Sequence, residues 1–163
     1  MPIEGELYWD GGYSGNPALY PLIYQTTGLD ILLVRLTPMQ RIDNPTRSID
    51  IIDRLSEITF NASLISEMRA IAFVKRLIDE HKLDRGRYKP LHMHMVADDA
   101  GMSAFNASSK FNTDWAFLQE LHRLGHQAAD GWLKAHRDRV GHDSSFDIHD
   151  AFLQQLGPAP GHS

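Results

Sequence analysis

The spacing of apolar residues along this chain of 163 residues predicts helices that alternate with a few short strands. The stretch DILLVRL, residues 30–36, is a nearly continuous β-rich run, which is typical of a parallel strand buried on both faces. A second strand is predicted at LHMHMV, residues 91–96. Near the N-terminus, the pattern predicts a strand, a turn at residues 4–5 and a second strand that ends at residues 10–12. Three or four strands are few for a sheet and leave much of its edge unpaired.

The helices are predicted from start signals and from apolar residues at helical spacing. Asn16 is a good N-cap and Pro17 suits the first helical position, so a short helix is expected to run to about residue 25. Apolar residues recur at helical spacing from Ile49 to about residue 81, with a potential break at residues 59–63. A later helix is predicted from a single apolar stripe: Trp115, Leu118, Leu121, Gly125, Ala128 and Trp132.

Composition narrows the class of protein. A hydrophobic fraction of 42% suits one globular domain with a real core. The net charge of -5 and the absence of a basic stripe disfavour a nucleic-acid partner. The chain has no cysteine, which excludes disulfides, thiolate metal sites and a cysteine nucleophile. No apolar run approaches a membrane span and no signal-peptide pattern is visible, so a cytoplasmic location is expected.

The stretch YWDGGYSGNPALYPL, residues 8–22, places a carboxylate at the end of an apolar run with two glycines directly after it. A catalytic carboxylate must be held rigidly and remain accessible, and the carboxyl end of a strand in an α/β sheet provides both. The glycines let the backbone turn sharply and let another group approach closely. Asp10 is therefore a candidate general base for a serine hydroxyl, although Asp-Gly is also a common hairpin-turn signal.

The sequence DGG, a short spacer and NPA together resemble the aspartate motif of the patatin-like phospholipase family, whose members use a Ser-Asp dyad in an α/β fold. The matching residues are Asp10, Gly11, Gly12, Asn16 and Pro17. The stretches RLSEITFNASLISEMRAIAFV and NASSKFNTDWAFLQELHRLG are similar to the C-terminal regions of bacterial patatin-like proteins, so the resemblance covers most of the chain. It implies that Asp10 is the dyad aspartate, that Gly11 and Gly12 shape its turn, and that Asn16 caps the next helix.

The nucleophile of this family lies in a Gly-x-Ser-x-Gly elbow that precedes the aspartate, and the sequence contains no such elbow. Ser14 is followed two residues later by Asn16, and Ser103 by Phe105, where the elbow requires glycine. We therefore expect the C-terminal half of a patatin-like hydrolase, inactive by itself, whose serine lies outside this chain. Two alternatives stay open: a non-catalytic accessory or interaction domain, and a new pairing of Ser14 or Ser103 with Asp10.

The resemblance also implies an organisation and a set of partners. The fold class is α/β, an incomplete patatin-like three-layer fold with few, mostly parallel strands and long C-terminal helices. Residues 1–100 would form the C-terminal part of the patatin-like domain, residues 101–155 a helical extension and residues 156–163 a disordered tail. The substrate would be a lipid or another acyl ester, without metal or organic cofactor, and any membrane contact would be peripheral. Because a half-domain exposes apolar surface, we expect oligomers or pairing with an N-terminal half.

Other polar residues are interpreted as structural. His92 and His94 share one face of a predicted strand, and His122 and His126 have the i, i+4 spacing that zinc proteins use. A metal site needs a third ligand, and no H-E-x-x-H pattern is present. The acidic pair at residues 98–99 is interpreted as a polar exit from a strand.

Overall fold

The computed structural model describes residues 2–41, 44–105 and 107–154. The helices are α1 (Tyr20–Gln25), α2 (Ser48–Asp79), α3 (Asp99–Met102) and α4 (Trp115–His136), and the strands are β1 (Pro2–Ile3), β2 (Glu6–Leu7), β3 (Asp30–Arg35) and β4 (His92–Ala97). Short 3-10 turns lie at Gly11–Tyr13, Ala107–Phe111 and Arg137–Arg139, and a π-helical turn lies at His149–Leu153. The chain therefore combines helix and strand, in agreement with the α/β class, while the patatin-like three-layer arrangement stays a prediction.

The first two strands form a small antiparallel hairpin. Glu4 and Gly5 connect them and both have positive φ, 52° and 88°, as a tight hairpin turn requires. The predicted turn is thus confirmed. Strand β2 ends at Leu7, so Asp10 does not stand directly at the end of a strand as the sequence had indicated.

Strands β3 and β4 pair in parallel, with Asp30 opposite His92 and Arg35 opposite Ala97. Both predicted strands are confirmed, but the described strands form two separate two-stranded sheets, one of which is antiparallel. The prediction that β3 is buried on both faces is wrong. Side chains on one face, such as Ile31, are buried, whereas Val34 on the opposite face is 63% exposed.

Helix α2 is continuous over 32 residues, and the potential break at residues 59–63 is absent. The polar side chains in this segment find partners without interrupting the helix. The Thr59 hydroxyl donates to the carbonyl of Leu55 at 2.9 Å, and the Asn61 amide donates to the carbonyl of Pro38 at 3.1 Å. Their polarity therefore reflects contacts within and beyond the helix and not a chain break.

The buried core joins α2 to the Ile31 face of the β3–β4 sheet. Its fully apolar members are Leu19, Ile31, Leu33, Leu64, Met68, Ile71, Leu91, Met93, Ile148 and Phe152. The last two come from the π-helical turn region near the end of the described chain. Residues before and after position 100 thus share one core.

Helix α4 is confirmed, but its apolar stripe is shallower than expected. The half-buried stripe consists of Phe117, Leu121, Leu124, Ala128 and Trp132. Trp115 is 70% exposed and Leu118 42%, so these two members of the predicted stripe do not face the core. Trp115 directly follows the capping residue Asp114 at the start of the helix, so it precedes the first half-buried position, Phe117.

Candidate functional site

Residues 10–16, here called the Asp10 turn, fold around the carboxylate of Asp10. The Asp10 Oδ1 atom accepts a hydrogen bond from the backbone N–H of Gly12 at 2.8 Å, and the side chain thereby caps the 3-10 turn Gly11–Tyr13. The N–H of Tyr13 donates to the Asp10 carbonyl at 3.2 Å. A carboxylate capping its own turn is held by local geometry alone, as expected for Asp before glycine.

The Asp10 turn rests on helix α2. The rings of Tyr13 and Phe60 lie 5.9 Å apart, and the N–H of Asn16 donates to the Ser63 hydroxyl at 3.3 Å. A Cβ atom added at Gly12 would lie 3.3 Å from the Phe60 ring and 3.1 Å from Asp10 Oδ1, which is tighter than ordinary contact. Glycine at position 12 therefore allows a close approach between the turn and the Phe60 ring, and a larger residue would require these side chains to shift.

Gly11, unlike Gly12, lies in open space. A Cβ atom added at Gly11 meets nothing within 4 Å. The matching motif residue is thus not required there by packing within the described part of the chain.

The predicted helix cap at Asn16 is wrong. Helix α1 begins at Tyr20, its N-cap position is Leu19, and Pro21 falls in its first turn. Asn16 therefore lies too early in the chain to cap this helix. It organises the turn through its backbone, which bonds to Ser63 on α2.

The Asp10 carboxylate is exposed, and its two oxygens differ. Oδ1 is engaged by Gly12, whereas Oδ2 has no hydrogen-bond partner among the residues that the structure describes. No hydrogen bond joins Asp10 to Ser14 or Ser103 within that part of the chain. Ser14 lines a shallow cleft of about 340 Å³ beside Ser63, and the Ser103 hydroxyl donates to the Ala100 carbonyl at 2.8 Å.

A second polar cluster lies where β3 and β4 begin. Asp30 Oδ1 accepts hydrogen bonds from Nε2 of His94 at 2.9 Å and from the N–H of Gly141 at 2.8 Å, and Nδ1 of His92 lies 3.5 Å away. The sequence placed the two histidines on one face, as observed. Asp30 and Gly141 were missed, because only the parallel register brings residue 30 beside residues 92 and 94.

The interior of this cluster is buried and contains imidazole nitrogens without a hydrogen-bond partner among the described residues. His94 is 1% exposed and its ring lies 5.7 Å from Trp132, which in turn lies 6.0 Å from His136. The Nδ1 atoms of His92, His94 and His136 are buried without a hydrogen-bond partner among the described residues. Over that same part of the chain, no three or more His, Asp or Glu side chains are arranged to hold a metal ion. The Asp30 carboxylate is held by one imidazole and one backbone N–H, with a second imidazole nearby.

The electrostatics of Asp30 give a first testable prediction. Burial raises the pKa of Asp30, but the hydrogen bonds from Gly141 and His94 and the nearby imidazoles outweigh it, so the pKa lies below its ordinary value. The ionised form therefore stabilises the fold, fully above the ordinary pKa of about 4, and this contribution is lost as the pH falls through the folded-state pKa. We expect Asp30→Asn to lower the free energy of unfolding at pH 7 by about 1 kcal/mol.

Urea unfolding of Asp30→Asn and of the unmodified chain at several pH values between 3 and 7 checks this prediction. The gap between them should shrink below about pH 4, because a protonated Asp30 resembles asparagine. The exposed Asp138 provides the control Asp138→Asn, which should track the unmodified chain throughout. A gap that widens toward acid pH would contradict the inferred direction of the pKa.

The histidine pair on α4 lies away from other ligands. The rings of His122 and His126 are 6.2 Å apart, and both residues are exposed. His126 Nδ1 lies 3.8 Å from a carboxylate oxygen of Asp130, one turn further along the helix. This arrangement is a solvated helix surface.

The acidic pair after β4 is used for structure. Asp98 Oδ1 accepts from the N–H of Gly101 at 2.9 Å and caps α3. Asp99 forms an ion pair with Arg35 on β3, with 2.8 Å between Oδ1 and Nη2. These contacts agree with the interpretation of residues 98–99 as a polar strand exit.

Comparisons with protein-family models, with curated proteins and with solved structures found no match to this chain. Across the described residues, no helix is long and apolar enough to cross a lipid bilayer. The geometry of the Asp10 turn and the motif that it contains are therefore the basis for a functional proposal.

Proposed function

We propose that this chain is the C-terminal portion of a patatin-like acyl-ester hydrolase, with Asp10 as the dyad aspartate for a serine outside the chain. The observation that carries the proposal is the asymmetry of the Asp10 carboxylate. Asp10 is an exposed residue; Gly12 holds its Oδ1 at 2.8 Å, while its Oδ2 has no partner among the described residues. A general base needs this combination of fixed orientation and one accessible oxygen. The proposal includes a lipid or other acyl-ester substrate and a cytoplasmic location.

The reaction would have two halves, acylation of the serine and hydrolysis of the acyl-enzyme, each with two proton transfers through Asp10. Oδ2 of Asp10 accepts the serine proton as the serine oxygen attacks the ester carbonyl, and the same carboxyl group then protonates the leaving alkoxide. In the second half, Asp10 accepts a proton from a water molecule as that water attacks the acyl-serine ester. The acyl-serine bond then breaks, the serine oxygen takes the proton from Asp10, and the acyl group leaves as a carboxylic acid. The contacts of Tyr13 with Phe60 and of Asn16 with Ser63 support this role, because they hold the turn against a long helix.

Labelling with a fluorophosphonate probe, read by intact mass, tests the proposal. The chain alone should remain unlabelled. Fused behind a patatin-like segment that carries the oxyanion loop and the Gly-x-Ser-x-Gly elbow, it should support labelling of that serine. Asp10→Asn in the fusion should slow labelling at least about a hundredfold, since a positioned general base contributes about 10²–10⁴ in rate. Asp84→Asn, at another aspartate that caps a following glycine, is the matched control and should leave labelling unchanged.

Two results would count against the proposal. Asp10-dependent labelling of the unfused chain would mean that the chain carries its own activated serine, with Ser14 the first position to examine. A folded fusion that is labelled equally well with and without Asp10 would remove Asp10 from the mechanism.

A non-catalytic interaction domain is the second candidate function. The N-terminal half of α2 favours it, because that half exposes large apolar side chains to between 46% and 59%: Ile49, Ile51, Ile52, Leu55 and Ile58. An exposed apolar helix stripe of this size is typical of a surface that binds a partner. This function would be favoured over the hydrolase if the fluorophosphonate probe labelled neither the chain alone nor the fusion, and the chain still formed a complex of defined composition.

A further inference from the structure

Strand β3 has one edge without a partner. The N–H of His92 donates to the carbonyl of Leu29 at 2.9 Å, so the backbone groups of residue 29 point toward β4. Because successive residues of a strand point their backbone groups to opposite sides, those of Leu32 and Val34 point away from β4. The sheet of β3 and β4 has two strands, so these groups have no ladder partner within the described residues.

The outer edge of β4 is covered in a way that the edge of β3 is not. The N–H of Met93 donates to the Ser144 hydroxyl at 3.0 Å, and the N–H of Ser145 donates to the Met93 carbonyl at 3.0 Å. The segment at residues 144–145 thus satisfies the outward backbone groups of Met93. The outward groups of Leu32 and Val34 on β3 have no such contact among the described residues.

The open edge is also apolar. Leu32 is 51% exposed and Val34 63%, and they share one face because they are two residues apart in the strand. Leu36, directly after the strand, is 66% exposed. Edge strands that stay monomeric usually carry a lysine, a proline or a bulge. Strand β3 has none of these, and Asp30 at its start is engaged by His94.

We propose that a second copy of this chain pairs with β3 in antiparallel orientation and forms a four-stranded sheet across a twofold axis. An axis at Val34 would set Val34 against Val34 of the partner subunit and Leu32 against Leu36 of the partner subunit. Directly opposed residues of antiparallel strands lie on the same face, so each exposed apolar side chain would meet another. Leu32 and Val34 point their backbone groups outward, as hydrogen-bonded pairs require, and the pairing would extend the strand by one residue to Leu36.

The pattern is self-complementary, which is why a second copy is the occupant that it fits. A twofold interface uses the same patch on both subunits, so the patch must match itself when reversed. The outward row Leu32, Val34 and Leu36 reads as apolar in both directions and has no charge that would face a like charge. This inference concerns the β3 edge and goes beyond the proposed role of Asp10.

A single cysteine tests the pairing directly, because the chain has no cysteine of its own. Opposed residues in a hydrogen-bonded antiparallel pair have Cα atoms about 5.5 Å apart, within the range that a disulfide spans. Val34→Cys should therefore give a covalent dimer on mild oxidation. Ser66→Cys, at an exposed position on α2, is the matched control and should remain largely uncrosslinked.

Sedimentation of the full chain provides the second measurement. The unmodified protein should show a concentration-dependent dimer of twice 18.5 kDa. Val34→Lys would set two ammonium groups against each other at the axis and should raise the dimer dissociation constant at least a hundredfold. Val140→Lys, at a valine 46% exposed after α4, should leave it unchanged.

Several outcomes would overturn the inference. These are a folded chain that stays monomeric at 100 µM, a dimer that Val34→Lys does not weaken, and crosslinking of Val34→Cys no greater than that of Ser66→Cys. A monomer whose β3 edge binds a strand of an N-terminal half would assign the edge to that partner instead. If Val34→Lys fails to fold, the crosslinking yield and the mass of the unmodified chain decide. None of these readouts depends on Asp10, so failure here is distinguishable from failure of the hydrolase proposal.

Discussion

Glu57→Ala is expected to lower the free energy of unfolding by about 3–5 kcal/mol, the usual cost of breaking a buried ion pair from one side. Glu57 is 6% exposed, although it lies in the N-terminal half of helix α2, which is otherwise lined with exposed apolar residues. Its Oε1 atom lies 2.6 Å from Nη2 of Arg41, and its Oε2 atom lies 3.1 Å from Nη1 of Arg54. The alanine variant leaves the Arg41 guanidinium, which is 18% exposed, without its counter-charge.

Because Arg41 makes further contacts, Glu57→Ala should lower the free energy of unfolding by more than the loss of a single contact would. Its Nη1 atom donates to the carbonyl of Ser103 at 2.7 Å, and Nη2 donates to the carbonyl of Phe105 at 2.5 Å. Arg41 therefore ties the segment after α3 to helix α2 through Glu57. Without the carboxylate, we expect both the helix contact and this segment to loosen.

Urea unfolding followed by circular dichroism measures the effect of Glu57→Ala. The matched control is Glu80→Ala, which removes a surface ion pair of similar length, 2.6 Å to Lys82 with both side chains more than 40% exposed. Exposed pairs contribute about 0–1 kcal/mol, so this variant should stay close to the unmodified chain. Equal destabilisation by the two variants would show that burial does not set the strength of the Glu57 network.

Local sequence patterns identified the strands better than they identified which other elements pack against them. The runs at residues 30–36 and 91–96 predicted two strands, and both are present. The burial of the first was misjudged, because a continuous apolar run does not reveal whether a second layer covers each face. Leu32 and Val34 are apolar and exposed, so the pattern alone could not distinguish a core position from an open edge.

Polar residues inside α2 misled the sequence interpretation for a related reason. Asn61 looks like a helix breaker, but its side chain is buried and donates to the carbonyl of Pro38. Glu57 is likewise buried, in an ion pair with Arg41 that the helix pattern does not indicate. Both partners lie at least 16 residues away in the chain, so neither contact leaves a local signal.

The sequence predicted the residues of the Asp10 turn and its local capping, but not the contacts that hold the turn against α2. Asp10, Gly11 and Gly12 were identified from the motif, and the capping of the turn by Asp10 follows from its residue types. The contacts with Phe60 and Ser63 require the packing of the turn on α2 and could not be read from the sequence. The same tertiary contact explains why Asn16 acts through its backbone instead of capping α1.

Phe152→Ala is expected to destabilise the whole fold by about 3–5 kcal/mol, the usual cost of truncating a buried phenylalanine. Phe152 is 4% exposed, and its ring lies 5.9 Å from that of Phe146. It belongs to the core that α2 and both parallel strands share, so the cavity would lie beneath the sheet. Urea curves from circular dichroism and from tryptophan fluorescence should shift together, because one core unfolds in one transition.

Phe111→Ala is the control for the Phe152 prediction, since Phe111 is 77% exposed and the truncation is the same. Surface substitutions usually change stability by less than about 0.5 kcal/mol, so this variant should unfold with the unmodified chain. If Phe152→Ala behaved like Phe111→Ala, the segment around residues 148–153 would be a loosely attached extension. A large and cooperative loss would instead mean that this segment completes the core on which α2, and with it the Asp10 turn, depends.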